Sequence, residues 1–196
     1  MAQIIDKSDI LKLSVDKLDK WLELNYENLI GSAIFTKNNT LGSKLVRWGE
    51  KHLFAKCNTD DCFVPSHTGS IIAKNPKPYK EASPRTTNLY IFDMKPPKAS
   101  IQLLADYLLN TDEDYKLILR DFGLNTTAFC INCLYHVGEF YPYLSALRSV
   151  FTKRQSKWLR HCSEFHLREL QKQGLFTEIN PEITPDELYH LLKGDE

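Results

Sequence analysis

The stretch of sequence that decides the fold is residues 68–94, TGSIIAKNPKPYKEASPRTTNLYIFDM. Its two ends are rich in isoleucine, tyrosine and phenylalanine, and this composition predicts β-strands over residues 68–73 and 88–94. Three prolines fall between these ends, which favours an insertion or a long turn there. The middle of the chain is therefore expected to contribute neighbouring strands to a sheet.

Shorter apolar runs at residues 32–35 and 115–119 predict two further strands. Apolar residues at helical spacing lie on both sides of this strand-rich centre. The predicted helices cover residues 8–29 with Ser8 as N-cap, 41–48, 100–109 with Ser100 as N-cap, 126–137, 162–174, and a final short helix that begins at the capping box of residues 184–187. Strands in the middle with helices at both ends indicate an α+β fold.

The composition is that of a chain with a hydrophobic core, because 42% of the residues are hydrophobic and 11% aromatic. These values exclude a disordered chain, and the low counts of 8 glycines and 9 prolines exclude a fibrous one. Lysine plus arginine and aspartate plus glutamate balance at 25 each, which argues against a dedicated nucleic-acid binder. We expect no nucleic-acid partner.

No stretch approaches the ~18 consecutive apolar residues of a membrane-spanning helix. Charged residues also interrupt the N-terminal segment, which therefore does not resemble a secretory signal. We expect a cytoplasmic location and reduced thiols. The cysteines are odd in number and comprise Cys57, Cys62, Cys130, Cys133 and Cys162.

Cys162 is the most informative of these cysteines. It lies at the expected start of a helix, where unpaired N–H groups and the helix dipole favour an anion and lower a thiol pKa. The preceding Lys157, Arg160 and His161 are expected to act in the same direction. The alternative is a small buried core residue, which is the usual environment of a free cysteine.

A thiolate that attacks a carbonyl needs a base, normally a histidine, and a third polar group that orients the histidine. His67 lies where a loop enters a predicted strand, and Gly69 leaves space beside it. His166 lies one helical turn after Cys162, but a base on the same helix points along the helix rather than over the reacting carbonyl. A structural role remains the alternative for each histidine.

The order of several short motifs resembles the circularly permuted NlpC-type cysteine peptidases, the YiiX-like branch of the papain-like fold. The matching motifs are GSAIF at residues 31–35, SHTG at 66–69, IFD at 91–93, CSEF at 162–165 and ITPDEL at 183–188. The resemblance implies a permuted papain-like fold with a small antiparallel sheet packed against helices and an extra N-terminal helix. It divides the chain into an N-terminal helical extension, residues 1–29, and a catalytic domain, residues 30–196.

Carried over residue by residue, the resemblance implies Cys162 as nucleophile, His67 as general base and Asp93 as the orienting acid. The family usually has glutamate at the third position, so Asp93 is a departure, and Glu81 is the rival third residue. The implied activity is a thiol hydrolase, a peptidase or amidase, that cleaves an amide-type bond through an acyl-enzyme without a cofactor. The expected partner is a peptide, an amide or an acyl-bearing small substrate.

Three other readings stay open. Two cysteine pairs, Cys57 with Cys62 and Cys130 with Cys133, have spacings that a structural zinc site could use. An acyltransferase or lipid esterase on the same fold would use an apolar groove, for which the aromatic residues Phe140, Tyr141, Tyr143 and Phe151 are candidates. A catalytically silent binding module would dock through the N-terminal helix or the basic run over residues 148–160.

Overall fold

The computed structural model of the chain describes residues 2–37, 39–40, 43–44, 47–48, 63–74, 88–95, 97–141 and 161–194. Within these ranges the backbone forms six strands. The strands are β1 (Gln3–Asp6), β2 (Ala33–Lys37), β3 (His67–Ala73), β4 (Leu89–Lys95), β5 (Lys98–Leu103) and β6 (Asp114–Leu119). They form one sheet in the order β1-β6-β2-β3-β4-β5, and every pairing is antiparallel.

The described ranges also contain seven helices. The helices are α1 (Lys7–Leu11), α2 (Val15–Leu24), α3 (Tyr26–Leu29), α4 (Leu104–Asn110), α5 (Thr126–Tyr135), α6 (Cys162–Gln171) and α7 (Pro185–Lys193). None of them is long and apolar enough to cross a membrane. The α+β fold class and the antiparallel sheet are confirmed, while the permuted papain-like arrangement stays a prediction.

Helices α6 and α7 cover the face of the sheet that includes Ser70. Phe92, which lies opposite Ser70 in the register of β3 and β4, contacts Phe165 of α6 with ring centroids 4.9 Å apart. Phe35 of β2 contacts Tyr189 of α7 edge-on at 5.2 Å. These aromatic contacts fix both helices to the same side of the central strands.

Helices α1 and α4 lie on the other face. The hydroxyl of Tyr115 in β6 donates a hydrogen bond to the Leu108 carbonyl of α4 at 3.0 Å. Lys7 of α1 lies over the Tyr115 ring at 5.9 Å and donates to the Thr111 carbonyl at 2.6 Å. With helices on both faces, β3 is buried along its whole length. A strand of this kind carries a continuous buried run instead of an alternation of polar and apolar residues.

The predicted single helix over residues 8–29 is wrong in its continuity. The segment forms three helices, and the first begins after Asp6 rather than at Ser8. Ser14 and Asn25 flank the second helix, and both residue types favour helix ends over helix interiors. The apolar spacing was nevertheless informative. Of the five residues it places on one face, Ile10, Leu18 and Leu22 are buried, while Leu13 and Trp21 are partly buried against the core.

Two strands were missed. Residues 98–103 form β5 at one edge of the sheet, so Ser100 lies within a strand opposite Asp93 and is not the cap of a helix. Helix α4 begins only at Leu104. Residues 3–6 form β1 at the other edge, where they pair with β6. Edge strands this short have no periodicity of their own, and their partner strand determines them.

The strand predictions at residues 32–35, 68–73, 88–94 and 115–119 are confirmed within one or two residues. The predicted helices at 126–137 and 162–174 and the capping box at 184–187 are confirmed as well. The predicted helix at 41–48 and the proline-containing segment at 75–87 lie largely or wholly outside the described residues.

The capping box of α7 provides a test of the fold. Thr184 Oγ1 accepts from the Glu187 backbone N–H at 3.2 Å, and the Glu187 carboxylate accepts from the Thr184 N–H at 3.0 Å. We expect Thr184→Ala to lower the free energy of unfolding by about 1 kcal/mol, because it leaves a helix N–H unpaired. Urea denaturation measures this change.

The control is Thr177→Ala. Thr177 is exposed, and its hydroxyl bonds only the adjacent Glu178 side chain at 3.5 Å among the hydrogen bonds found for it. Its removal is expected to change the unfolding free energy by less than about 0.5 kcal/mol. Equal losses in the two variants would contradict a specific role for the cap.

Candidate active site

His67 and Cys162 meet at one end of the β3–α6 pair. His67 is the first residue of β3, and Cys162 is the first residue of α6. The two side chains lie close enough to interact electrostatically, and both residues are buried. The structure therefore brings together the nucleophile and the base that the sequence predicted, at the N-terminus of a helix.

Asp93 reaches the same point from β4. The register of β3 and β4 places Asp93 opposite Gly69, two residues along the strand from His67 and on the same face. Asp93 Oδ1 is hydrogen-bonded to Nε2 of His67. Because Nε2 faces Asp93, Nδ1 is the ring nitrogen that remains for Cys162. The order of contacts is thus Asp93, His67, Cys162.

The charges of the three groups support one another. Burial disfavours the imidazolium, but the Asp93 carboxylate and the Cys162 thiolate outweigh burial and raise the pKa of His67 to about 10. Burial likewise opposes the carboxylate, yet His67 and Lys95 hold the pKa of Asp93 below its usual value. The favoured form of the site at neutral pH is therefore a protonated His67 beside a charged Asp93.

The same interactions act on the thiol. Burial opposes the Cys162 thiolate, and the negative charge of Asp93 opposes it further. The His67 imidazolium and a hydrogen bond from the Thr68 backbone N–H prevail and lower the pKa of Cys162. A lowered pKa increases the fraction of Cys162 present as thiolate, which is the nucleophilic form of a cysteine.

Cys130 and Cys133 differ from Cys162, because their thiol pKa values are raised and not lowered. Both are buried in α5, and burial raises the pKa of Cys130 to about 11 and that of Cys133 well above its usual value. The Cys130 sulfur accepts a hydrogen bond from the Ala73 N–H at 3.2 Å. Their environment is that of core residues, so neither thiol resembles Cys162 in reactivity.

Helix α6 is held in place by polar contacts along its first turns. Ser163 donates to the Ile183 carbonyl at 2.5 Å, which joins the start of α6 to the segment before α7. One turn later, Nδ1 of His166 shares a 2.7 Å hydrogen bond with the Ser70 hydroxyl of β3. These contacts fix the position of Cys162 relative to His67.

His161 and His166 are not part of the charged site. Burial lowers the pKa of each to about 4, so both are neutral at neutral pH. The prediction that His161 adds positive charge beside Cys162 is therefore wrong, and burial is the reason. Lys157 and Arg160, which were expected to act with it, lie outside the described residues.

The sequence did not single out the cation next to the site. Lys95 Nζ lies 3.1 Å from Asp93 Oδ2 and 3.0 Å from Glu113 Oε1. The Tyr107 hydroxyl donates to Glu113 Oε2 at 3.0 Å. Asp93 and Lys95 are two residues apart on one strand and so share a face, which is the signal that could have pointed to Lys95. Glu113 and Tyr107 come from other elements and carried no comparable signal.

Several sequence candidates lie outside the described residues. They are Glu81, Cys57, Cys62, Tyr143, Phe151 and the basic run at residues 148–160. Among the described residues, no group of three histidine, cysteine or acidic side chains is arranged to hold a metal ion. Of the proposed groove residues that are described, Phe140 is exposed and Tyr141 is buried.

No protein-family model, no curated protein and no solved structure matches this chain. What the site can do follows from its own geometry. A thiolate at a helix N-terminus, a protonated histidine and a carboxylate behind it are the parts of covalent acyl transfer.

Gly69 provides a test of how the site is built. A Cβ at this position would lie 2.6 and 2.8 Å from two side-chain carbons of Ile91 and 3.1 Å from Ile34. Gly69→Ala is therefore expected to destabilise the protein by ~1–3 kcal/mol and to move β4 relative to β3. Because Asp93 lies directly opposite, the thiol pKa of Cys162 should rise as well.

The cause is checked with Ile91→Ala, which removes both of the closest clashing carbons. If the clash is responsible, the double variant Gly69→Ala/Ile91→Ala loses less unfolding free energy than the sum of the two single variants. Strictly additive losses would show that the crowding of Ile91 is not the reason.

Proposed function

We propose that the protein is a thiol hydrolase that cleaves an amide-type bond with Cys162 as nucleophile, His67 as general base and acid, and Asp93 as the group that orients His67. One observation carries this proposal: the series Cys162, His67, Asp93 at the N-terminus of α6, in which His67 is hydrogen-bonded to Asp93 and interacts with the Cys162 thiol. The resemblance of the motifs to permuted NlpC-type cysteine peptidases is in accord with it.

In the proposed first half-reaction, the Cys162 thiolate attacks the carbonyl carbon of the substrate and forms a tetrahedral intermediate. The backbone N–H of Cys162 has no partner within its own helix, as for any first helical residue, and is a natural donor to the oxyanion. Protonated His67 gives its proton to the leaving amine as the carbon–nitrogen bond breaks. The acyl group then remains on Cys162 as a thioester.

In the second half-reaction, neutral His67 takes a proton from a water molecule, whose oxygen attacks the thioester. The carboxylic acid leaves, and the Cys162 thiolate and the His67 imidazolium form again. Asp93 keeps one tautomer and one orientation of the ring through both steps. Peptides, isopeptides and other acyl compounds share this chemistry. An acyltransferase differs only in the acceptor of the second step.

The reactivity of Cys162 is measured by labelling with iodoacetamide across pH, followed by mass mapping of the modified cysteines. Cys162 should react with an apparent pKa well below the ~8.5 of a free thiol. Cys130 and Cys133 should react slowly, because burial keeps them as thiols. At about pH 6, His67→Ala should slow the labelling of Cys162 on the order of 100-fold, because the thiolate loses its partner.

The matched control is His190→Asn, which changes another histidine that lies beside an aspartate, with Nε2 3.7 Å from Oδ1 of Asp186 on α7. It should leave the Cys162 labelling profile unchanged. A wild-type Cys162 that reacts no faster than an ordinary thiol would overturn the proposed function.

Catalytic turnover is measured on a panel of fluorogenic peptide, amide and ester substrates. Cys162→Ala should abolish turnover and leave the circular dichroism spectrum unchanged. Turnover of wild type should fall as the pH rises through about 10, the pKa of His67, because neutral His67 cannot protonate the leaving amine. Alkylation needs no such proton and should stay fast above that pH.

The two pH profiles separate the roles of the residues. Parallel decline of alkylation and turnover at high pH would contradict the role of His67 as general acid. A substrate panel in which only long-chain fatty esters are cleaved, with preference rising with chain length, would assign the same residues to lipid acyl chemistry.

A further inference from the structure

We infer that Lys95 is a positioning residue of the proposed active site, which holds Asp93 in the orientation and charge state that His67 requires. This inference rests on the proposed function. It extends the site by a cation that contacts neither the thiol nor, in the proposed mechanism, the substrate.

The two oxygens of Asp93 have separate partners. Oδ1 is hydrogen-bonded to His67, and Oδ2 lies 3.1 Å from Lys95 Nζ. A carboxylate with one partner can rotate about its terminal torsion, which is broad and roughly two-fold. A second partner on the other oxygen fixes the plane of the carboxylate. Lys95 therefore determines which oxygen faces His67 and at what angle.

Lys95 is itself held in place from the other side. Its ammonium group donates to both oxygens of Glu113, at 3.0 and 3.1 Å, and lies 5.6 Å from the centre of the Tyr107 ring. The Tyr107 hydroxyl donates to Glu113 at 3.0 Å. A flexible lysine side chain has three donors and many rotamers, and these contacts restrict it to one geometry.

The local charges determine what Lys95 does. Two carboxylates, Asp93 and Glu113, lie beside a mostly buried site that also contains the Cys162 thiolate. Without Lys95, the positive charge of His67 would face these three anions alone. The added negative field would raise the pKa of Asp93 directly and that of Cys162 at longer range.

The pH dependence of Cys162 alkylation is affected by the polar and charged groups that face Asp93 from the strands and helices around it. They are His67 of β3, Lys95 of β4 itself, Ser100 of β5, Tyr107 of α4, Glu113 before β6 and Cys162 of α6. Burial and Glu113 raise the pKa of Tyr107, so Tyr107 is neutral over the range tested. Lys95 and His67 are the cations of this set.

The experiment is the pH profile of Cys162 alkylation by iodoacetamide, which needs no substrate. In Lys95→Met the acid limb of the profile should move to higher pH by about half a unit or more, because both anions of the site lose a stabilising cation. Lys95→Arg keeps the charge and both directions of hydrogen bonding, and should restore most of the wild-type profile.

Lys116→Met is the matched control. Lys116 lies in the same sheet, pairs with Asp6 at 3.1 Å, and contacts an aromatic ring at 5.4 Å. Its side chain is 28% exposed, against 27% for Lys95. Both substitutions thus remove a lysine of similar exposure that pairs with an aspartate at 3.1 Å, and only the one at Lys95 should shift the Cys162 profile.

The outcomes separate this inference from the proposed function. A low apparent pKa of Cys162 in wild type together with an unchanged profile in Lys95→Met would overturn the role of Lys95 and leave the proposed function standing. An ordinary Cys162 pKa in wild type would overturn both. Equal shifts in Lys95→Met and Lys116→Met would show a general charge effect and also overturn the role. Should Lys95→Met not fold, Lys95→Gln is judged by the same criteria.

Discussion

The packing of α6 against β3 is the constraint on which the rest of the site depends. It places the first residue of a helix beside the first residue of a strand, so that Cys162 and His67 touch. The contact is fixed further along by the bond between Ser70 and His166 and by the stacking of Phe92 on Phe165. A shift of α6 by one residue would turn the thiol away, since successive helical residues point about 100° apart. The core thus sets the geometry that the proposed chemistry requires.

Three buried histidines of this protein have pKa values shifted in different directions, although burial acts on each of them in the same direction. Burial lowers the pKa of His161 and His166, which have no acidic partner among the described residues that offsets the loss of water. His67 is equally buried, but Asp93 and Cys162 compensate for burial and raise its pKa instead. Of these three buried histidines, only His67 is therefore a cation at neutral pH. The difference comes from neighbouring charges, which distinguish His67, the base of the proposed mechanism, from the other two histidines.

The charged site also contains residues from strands and helices that are far apart in the sequence. Asp93 needs β4 in register with β3, and Gly69, directly opposite Asp93, leaves the space that the Ile91 side chain occupies. Lys95 links Asp93 to Glu113, which immediately precedes β6. In the sheet, β6 and β3 lie on opposite sides of β2. Strands and helices that carry no reacting group thus contribute to the charge balance of the site.

The sequence by itself determined the central strands, the long C-terminal helices, the capping box and the candidate Cys162, each from a local cause: an apolar run, a helical spacing, a cap, or a reactive residue type at a helix start. The resemblance of the motifs implied His67 and Asp93, with Glu81 as the rival third residue. Only the tertiary structure decided the edge strands at residues 3–6 and 98–103, the breaks in the N-terminal helix, the neutral state of His161 and the contact of Lys95 with Asp93. These features depend on pairing partners, burial and charges brought together from distant parts of the chain, and the local signals at Ser14, Asn25 and Lys95 do not specify them by themselves.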